Sequence, residues 1–181
     1  ASERLKVGGT ITGTSSNQSV GSPLYFRAIG QIPLALPYDA SGNVILQPGG
    51  DALLFSPLNE IEDFIDDRRV NRFFGSFYGE AKLFEGLRYR INVGTDFRHN
   101  RRGQYQGALT SDRWGGTSWA NYQQDQNFTY VVENLFFYDK EFGVHNINVT
   151  GLYSFQQDRF EASGVTVANL PYESQRFYNL G

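Results

Sequence analysis

Residues 71–98, NRFFGSFYGEAKLFEGLRYRINVGTDFR, limit what this chain can fold into more than any other stretch. Taken two at a time they give Phe73, Gly75, Phe77, Gly79, Ala81 and Leu83. After Phe84-Glu85-Gly86 the series resumes with Leu87, Tyr89, Ile91, Val93, Thr95 and Phe97. The positions between are mostly polar: Arg72, Ser76, Glu80, Lys82, Arg88, Arg90, Asn92, Asp96 and Arg98, with Phe74 and Tyr78 as apolar exceptions. Successive side chains of a strand point to opposite faces, so this alternation predicts two strands with one apolar and one polar face. The short, Gly-containing interruption suits a hairpin turn. Each arm runs about a dozen residues, roughly twice an ordinary globular strand. A tilted strand needs about 9–11 residues to cross a bilayer.

The pattern recurs along the chain. In residues 4–13, Leu5, Val7, Gly9 and Ile11 alternate with Arg4, Lys6, Gly8, Thr10 and Thr12. Residues 127–139 predict a strand with Phe128, Tyr130, Val132, Phe136 and Tyr138 on one face, joined there by Asn134. A tight turn at residues 140–143 leads into 144–156, where His145, Ile147, Val149, Gly151, Tyr153 and Phe155 alternate with Asn146, Asn148, Thr150, Ser154 and Gln156. Three long connections remain, residues 14–70, 99–126 and 157–181. The first carries two expected short helices. One spans 23–30, with Ser22 as cap and Pro23 at the first helical position. The other spans 57–67, with Leu58, Ile61 and Ile65 on one face and Glu60, Glu62, Asp63, Asp66 and Asp67 forming a solvated acidic face. Asp39-Ala40-Ser41-Gly42-Asn43 is a turn signal.

Every short turn therefore lies on one edge of the expected sheet and every long connection on the other. Outer-membrane barrels have this asymmetry, with an apolar outer face and a polar lumen. The expected fold is all-β: a long-stranded antiparallel sheet forming a partial transmembrane β-barrel, with long extracellular loops that carry short helices. The turn at 84–86 would point to the periplasm. Arg72, Glu80, Arg88, Arg90, Asp96 and Arg98 would face the lumen. Mean hydropathy is only -0.43 and no run of 18 apolar residues occurs. This argues against a spanning helix but not against a barrel, whose alternating strands average out as hydrophilic.

The chemistry-bearing residues point away from catalysis. Cys is absent, so no thiolate metal site or Cys nucleophile exists. His99 and His145 are the only histidines and have no metal-ligand spacing. A glycosidase would need a carboxylate pair across a cleft, and no spacing selects one. No enzyme activity, cofactor or metal is expected, and the net charge of -3 offers no basic footprint for nucleic acid. The expected ligand contacts lie in 99–126. Tyr105, Trp114, Trp119 and Tyr122 offer flat faces on which a sugar ring could stack, and Asp112, Arg113 and Asn121 offer hydrogen bonds. A soluble β-rich carbohydrate-binding or adhesin module could use the same aromatic residues. The two readings differ in whether the apolar face of 73–83 and 87–97 meets lipid or a second sheet. Met is absent and residue 1 is Ala, so the chain is expected to be a processed product or a piece of a longer protein.

Several stretches resemble the SusC/RagA-type TonB-dependent outer-membrane transporters. In residues 71–98 the matching positions are Asn71, Arg72, Gly75, Tyr78, Glu80, Gly86, Leu87, Arg90, Gly94 and Asp96, with departures at Ala81 and Tyr89. ENLFFYDKEFGVHNINVTGLYSFQ is similar to a second family hairpin through Glu133, Asn134, Tyr138, Phe142, Gly143, His145, Ile147, Gly151 and Gln156. SPLYFRAIGQIPLALPYDASGN is similar to a loop segment with a short helix, prolines and a Tyr-Asp-x-x-Gly turn. The resemblance implies a barrel of about 22 strands with a plugged lumen, of which this chain would be an early-to-middle stretch. It further implies residence in the outer membrane of a Gram-negative, Bacteroidetes-type cell, in contact with outer-membrane lipid. The implied activity is import of a glycan or peptide, with TonB acting through a region outside this chain and a SusD-like lipoprotein covering the barrel.

Overall fold

A computed structural model of the chain describes residues 4–22 and 24–180. Five strands form one sheet in the order β1-β2-β3-β4-β5, a meander in which each strand pairs with its sequence neighbours. They are β1 Leu5–Ser19, β2 Phe64–Phe84, β3 Leu87–Gln106, β4 Trp119–Phe142 and β5 His145–Ala168. Two short helices, α1 Leu24–Ile29 and α2 Asn59–Asp63, lie between β1 and β2. A 3-10 turn, Glu173–Gln175, follows β5. The expected position of Pro23 at the start of the first helix lies outside the described residues.

Both short turns are where the alternation breaks. Gly86 has φ +84°, and a Cβ there would come within 2.5 Å of the Asp139 carbonyl oxygen, so glycine is required on both conformational and steric grounds. The Asp139 N–H donates to the Gly86 carbonyl, tying this turn to β4. The second turn is Gly143-Val144 rather than the expected 140–143. Lys140, Glu141 and Phe142 remain in β4, and Gly143, at φ +60°, takes the left-handed position. In the β1–β2 connection, the Asp39 carboxylate accepts from the backbone N–H groups of Ser41 and Asn43, and Tyr38 bridges to Val44. The expected turn forms there, and those N–H bonds, with Asn43 foremost, hold the Asp39 carboxyl below its ordinary pKa.

At the loop ends the strands run further than the alternation suggests. β1 continues to Ser19, β3 to Gln106 and β5 to Ala168, while β4 begins at Trp119. Residues 14–19, 99–106, 119–126 and 157–168 are therefore strand, not loop. Their ladders carry polar cross-strand pairs, such as Arg69 Nε to Asn17, Gln124 to Ser163 and Gln126 to Glu161. Such pairs stabilise a sheet without any apolar periodicity to announce it. The expected helix over 57–67 is likewise shortened. Phe64 is extended (φ -114°, ψ 118°), and β2 takes over because Asp66 pairs with Val20 and Arg102. Sheet pairing overrides the helical spacing of Leu58, Ile61 and Ile65.

The chain divides into two compact units, and each strand has a stretch in both. The first comprises Ala1–Ser15, Val70–His99 and Asp125–Glu161, the second Ser16–Arg69, Asn100–Gln124 and Ala162–Gly181. In the first unit, large apolar side chains stand exposed on the odd positions of β1, β2, β3 and β5: Val7, Ile11, Phe73, Phe77, Val93, Ile147, Val149 and Phe155. Phe128 and Phe136 join them from β4, where the register puts even positions on that face; Phe136 lies 4.9 Å from Tyr89 and Phe128 6.5 Å from Phe97. The second unit has its own core, in which Tyr105, Ala120, Leu170 and Phe177 are buried and Ile65, Tyr122, Val167 and Leu180 pack against them.

Candidate functional site

The polar face of the first unit is a set of cross-strand pairs. Arg72 on β2 donates to both carboxylate oxygens of Asp96 on β3, at 2.8 and 2.5 Å. Arg88 lies 3.6 Å from Glu80 and 3.2 Å from Asp139, so one guanidinium joins β2, β3 and β4. Arg90 Nε donates to Asn92, its guanidinium sits 4.3 Å from the Tyr78 ring centre, and Asn92 donates to Glu133. Arg98 is exposed. One of the two apolar exceptions on this face thus serves an arginine, Tyr78 beside Arg90, and Phe137 of β4 lies 5.0 Å from the Arg88 guanidinium.

In the second unit a polar ladder crosses four strands. Arg102 donates to both oxygens of Asp66, at 2.8 and 2.5 Å, and Gln104 donates to the same carboxylate. Asn121 donates to Gln104, and Thr166 donates to Asn121. The hydrogen bond to Asp66 raises the pKa of the Arg102 guanidinium. Of the five residues expected to form a solvated acidic helix face, Glu62 is exposed while Glu60 and Asp66 are buried. Asp66 is buried in this ladder, and Glu60 on α2 is buried against Arg27, 3.6 Å away, while accepting from the Ser111 N–H. Arg27 also pairs with Asp112. These partners are distant in sequence, and no local signal marks them. Asp63 has its carboxyl pKa raised, chiefly by burial and then by the nearby charges of Glu173 and Glu62.

The seven expected ligand contacts do not form one constellation. Tyr105 is 1% exposed in the core, where burial above all pushes its phenol up to about 12. Asn121 is buried in the ladder. Tyr122 is partly buried on β4, 5.4 Å from the Arg101 guanidinium. Even and odd positions of β4 face opposite ways, so Tyr122 and the Trp119–Asn121 pair lie on different sides of the sheet. Arg113, Trp114 and Asp112 belong to the loop 107–118. That loop is closed by Trp114 N–H to Thr110, Gly115 N–H to Ala108 and Gly116 N–H to Arg113. Arg113 donates to Gln106 and lies 5.5 Å from the Trp119 ring. Asp112 accepts from Gln106 besides pairing with Arg27. Trp114 has φ +56° and is 54% exposed, its indole 6.4 Å from Phe55. A bulky residue held in left-handed backbone with its ring open to solvent is a feature that marks functional positions.

His145 is exposed on β5 and His99 is partly buried on β3. Among the described residues, no group of three His, Cys, Asp or Glu side chains could hold a metal.

No protein-family model matches the chain. In sequence it is 25% identical, over 128 residues, to TonB-dependent receptor P3 of Formosa agariphila; the match covers 70% of this chain and 12% of that protein. In fold it matches a chain of the RagAB peptide importer in its closed-closed state, with a TM-score of 0.69 and 13% identity, covering 96% of this chain and 20% of that one. The chain spans only 12% of that receptor's length and 20% of the importer chain's, and its fold is that of a stretch of the importer chain. The self-paired arginines of the polar face and the exposed Trp114 are the groups that an approaching molecule could meet.

Proposed function

We propose that the chain forms one sector of the wall of an outer-membrane importer in a Gram-negative, Bacteroidetes-type cell. Its solute is an oligosaccharide or, second, a peptide. Energy is delivered through TonB by a region outside this chain, and a SusD-like surface lipoprotein closes the barrel from outside. The observation that carries this reading is the asymmetry of the sheet. Exposed Phe73, Phe77, Val93, Ile147, Val149 and Phe155 crowd one face, and paired Arg72–Asp96 and Arg88–Asp139 occupy the other. So large an apolar surface is not tolerated in water but suits hydrocarbon. The sequence likeness to a TonB-dependent receptor and the fold likeness to a peptide importer support the same reading. No step of chemistry on the solute is required.

Trp114, with Arg113 and Trp119 beside it, is the proposed solute contact. A strain lacking the full-length gene, grown on single oligosaccharides or peptides as carbon source, should fail on one class and recover with the wild-type gene. Recovery with Trp114→Ala and Trp119→Ala together should be poor, although the barrel reaches the membrane in normal amount. Full recovery by the double variant would remove this loop from solute contact. Normal growth of the deletion strain on every solute would remove the import reading.

A further inference from the structure

The second unit contains a cavity of about 250 Å³ lined by Arg68, Arg69 and Arg101, with Asn17, Gln18 and Tyr178. Asp67 is its one carboxylate, so the lining is net positive. Elsewhere in the chain, Arg27, Arg72, Arg88, Arg102 and Arg159 each pair with a carboxylate within 4 Å. Among the described residues, Arg68, Arg69 and Arg101 have no such pair, as is also true of Arg90, Arg98, Arg113 and Arg176, but only the first three line one concavity. Arg69 uses only its Nε, toward Asn17, and Arg101 rests on the Tyr122 ring. Of the three, Arg69 and Arg101 fall on one face of the sheet, and two guanidiniums with free N–H donors at one concavity form a site for an oxyanion with several equivalent oxygens, because planar guanidinium forks match phosphate bidentately. The amides of Asn17 and Gln18 and the exposed ring of Tyr178 add donors, acceptors and a stacking face suited to a sugar.

Strand parity says from which side the ligand comes. Asn17, Arg69 and Arg101 occupy odd positions of β1, β2 and β3. Odd positions on these strands also carry Ile11, Phe73, Phe77, Ile91 and Phe97, the residues of the proposed lipid face. The even positions, with Arg72, Arg88 and Arg90, belong to the lumen. We propose that this pocket binds the phosphorylated sugar headgroup of an outer-leaflet glycolipid; the inference rests on the membrane orientation proposed above. The lipid would act as a structural ligand of the barrel's outer rim, separate from the solute path.

The test uses the full-length transporter purified in mild detergent from its native outer membrane. Phosphorylated glycolipid that co-purifies is counted by mass spectrometry. Wild type should retain it. Arg69→Gln with Arg101→Gln should retain about tenfold less, since two charge-assisted hydrogen bonds are removed. Arg101→Gln alone, which leaves the Arg69–Asn17 bond in place, gives a milder loss and guards against misfolding of the double variant. Equal glycolipid in all three proteins would overturn the proposal. So would calorimetric binding of inorganic phosphate that the variants abolish while their glycolipid content stays unchanged, which would make the pocket a free-anion site. Membrane fractionation of the wild type separates the two levels of failure. Absence from the outer membrane overturns the orientation itself, whereas presence there with unchanged glycolipid overturns only the headgroup site.

Discussion

The two units use the same five strands to opposite ends. In the first, apolar side chains such as Ile11, Phe73, Phe77 and Val149 stand exposed on one face, and order comes from the backbone ladder and cross-strand pairs. In the second, Tyr105, Ala120, Leu170 and Phe177 make a core, and Asp66 and Glu60 are buried with partners. A strand set cannot hold a large exposed apolar face in water, and it has no need of a core where lipid supplies the apolar phase. On the proposed orientation the difference is one of solvent: hydrocarbon for the first unit, water for the second.

Arg102→Ala should have the largest effect and should be confined to the second unit. It leaves the buried Asp66 carboxylate without its cation, a loss of about 3–5 kcal/mol. Limited proteolysis of the full-length protein should then cut within residues 100–124 while the barrel keeps its folded migration on a gel. Collapse of the whole barrel would deny the units their independence. Phe77→Arg should do the reverse. A charge at mid-membrane depth costs about 2–4 kcal/mol, so the amount of assembled barrel in the outer membrane should fall. Normal levels would contradict a lipid-facing Phe77. Gly86→Ala follows, at about 1–3 kcal/mol for left-handed strain alone, with the Asp139 carbonyl adding a clash; assembly kinetics should slow. Wild-type kinetics would mean that the turn relaxes freely.

The smallest effect is a pH dependence. The unfolded Tyr105 phenol titrates near about 10, and the buried one at about 12. Above pH 10 the unfolded chain loses this proton first, so stability falls as pH rises from about 10 to 12 and is unaffected below. Tyr105→Phe should flatten that stretch of the alkaline unfolding curve of the second unit, followed by aromatic circular dichroism. An unchanged curve would place the phenol in water.

The sequence revealed the first unit far better than the second, for a physical reason. Residues 73–97 and 145–155 carry a period-two apolarity, which the proposed lipid face would impose and which is visible in a single sequence. At the loop ends both faces meet water or loops, so Asn17, Gln104, Asn121, Gln124 and Ser163 pair without periodicity, and the strands look like connections. Glu60 and Asp66 resemble surface carboxylates until Arg27 and Arg102 arrive from elsewhere in the chain. Tyr105 and Asn121 suggested ligand contact by residue type alone, whereas burial assigns them to packing. Trp114, exposed and in left-handed backbone, and Asp112, exposed beside Arg27, remain accessible.

The central claim is the orientation of the sheet. Because this chain lacks cysteine, single cysteines at positions 76, 77, 90, 91, 92 and 93 of the full-length transporter in bilayers can be spin-labelled and their collisions with oxygen and with a water-soluble nickel chelate measured. Positions 77, 91 and 93 should favour oxygen, and 76, 90 and 92 should favour the chelate or neither. Equal oxygen and chelate accessibility at both parities, or the reverse pattern, would contradict the account.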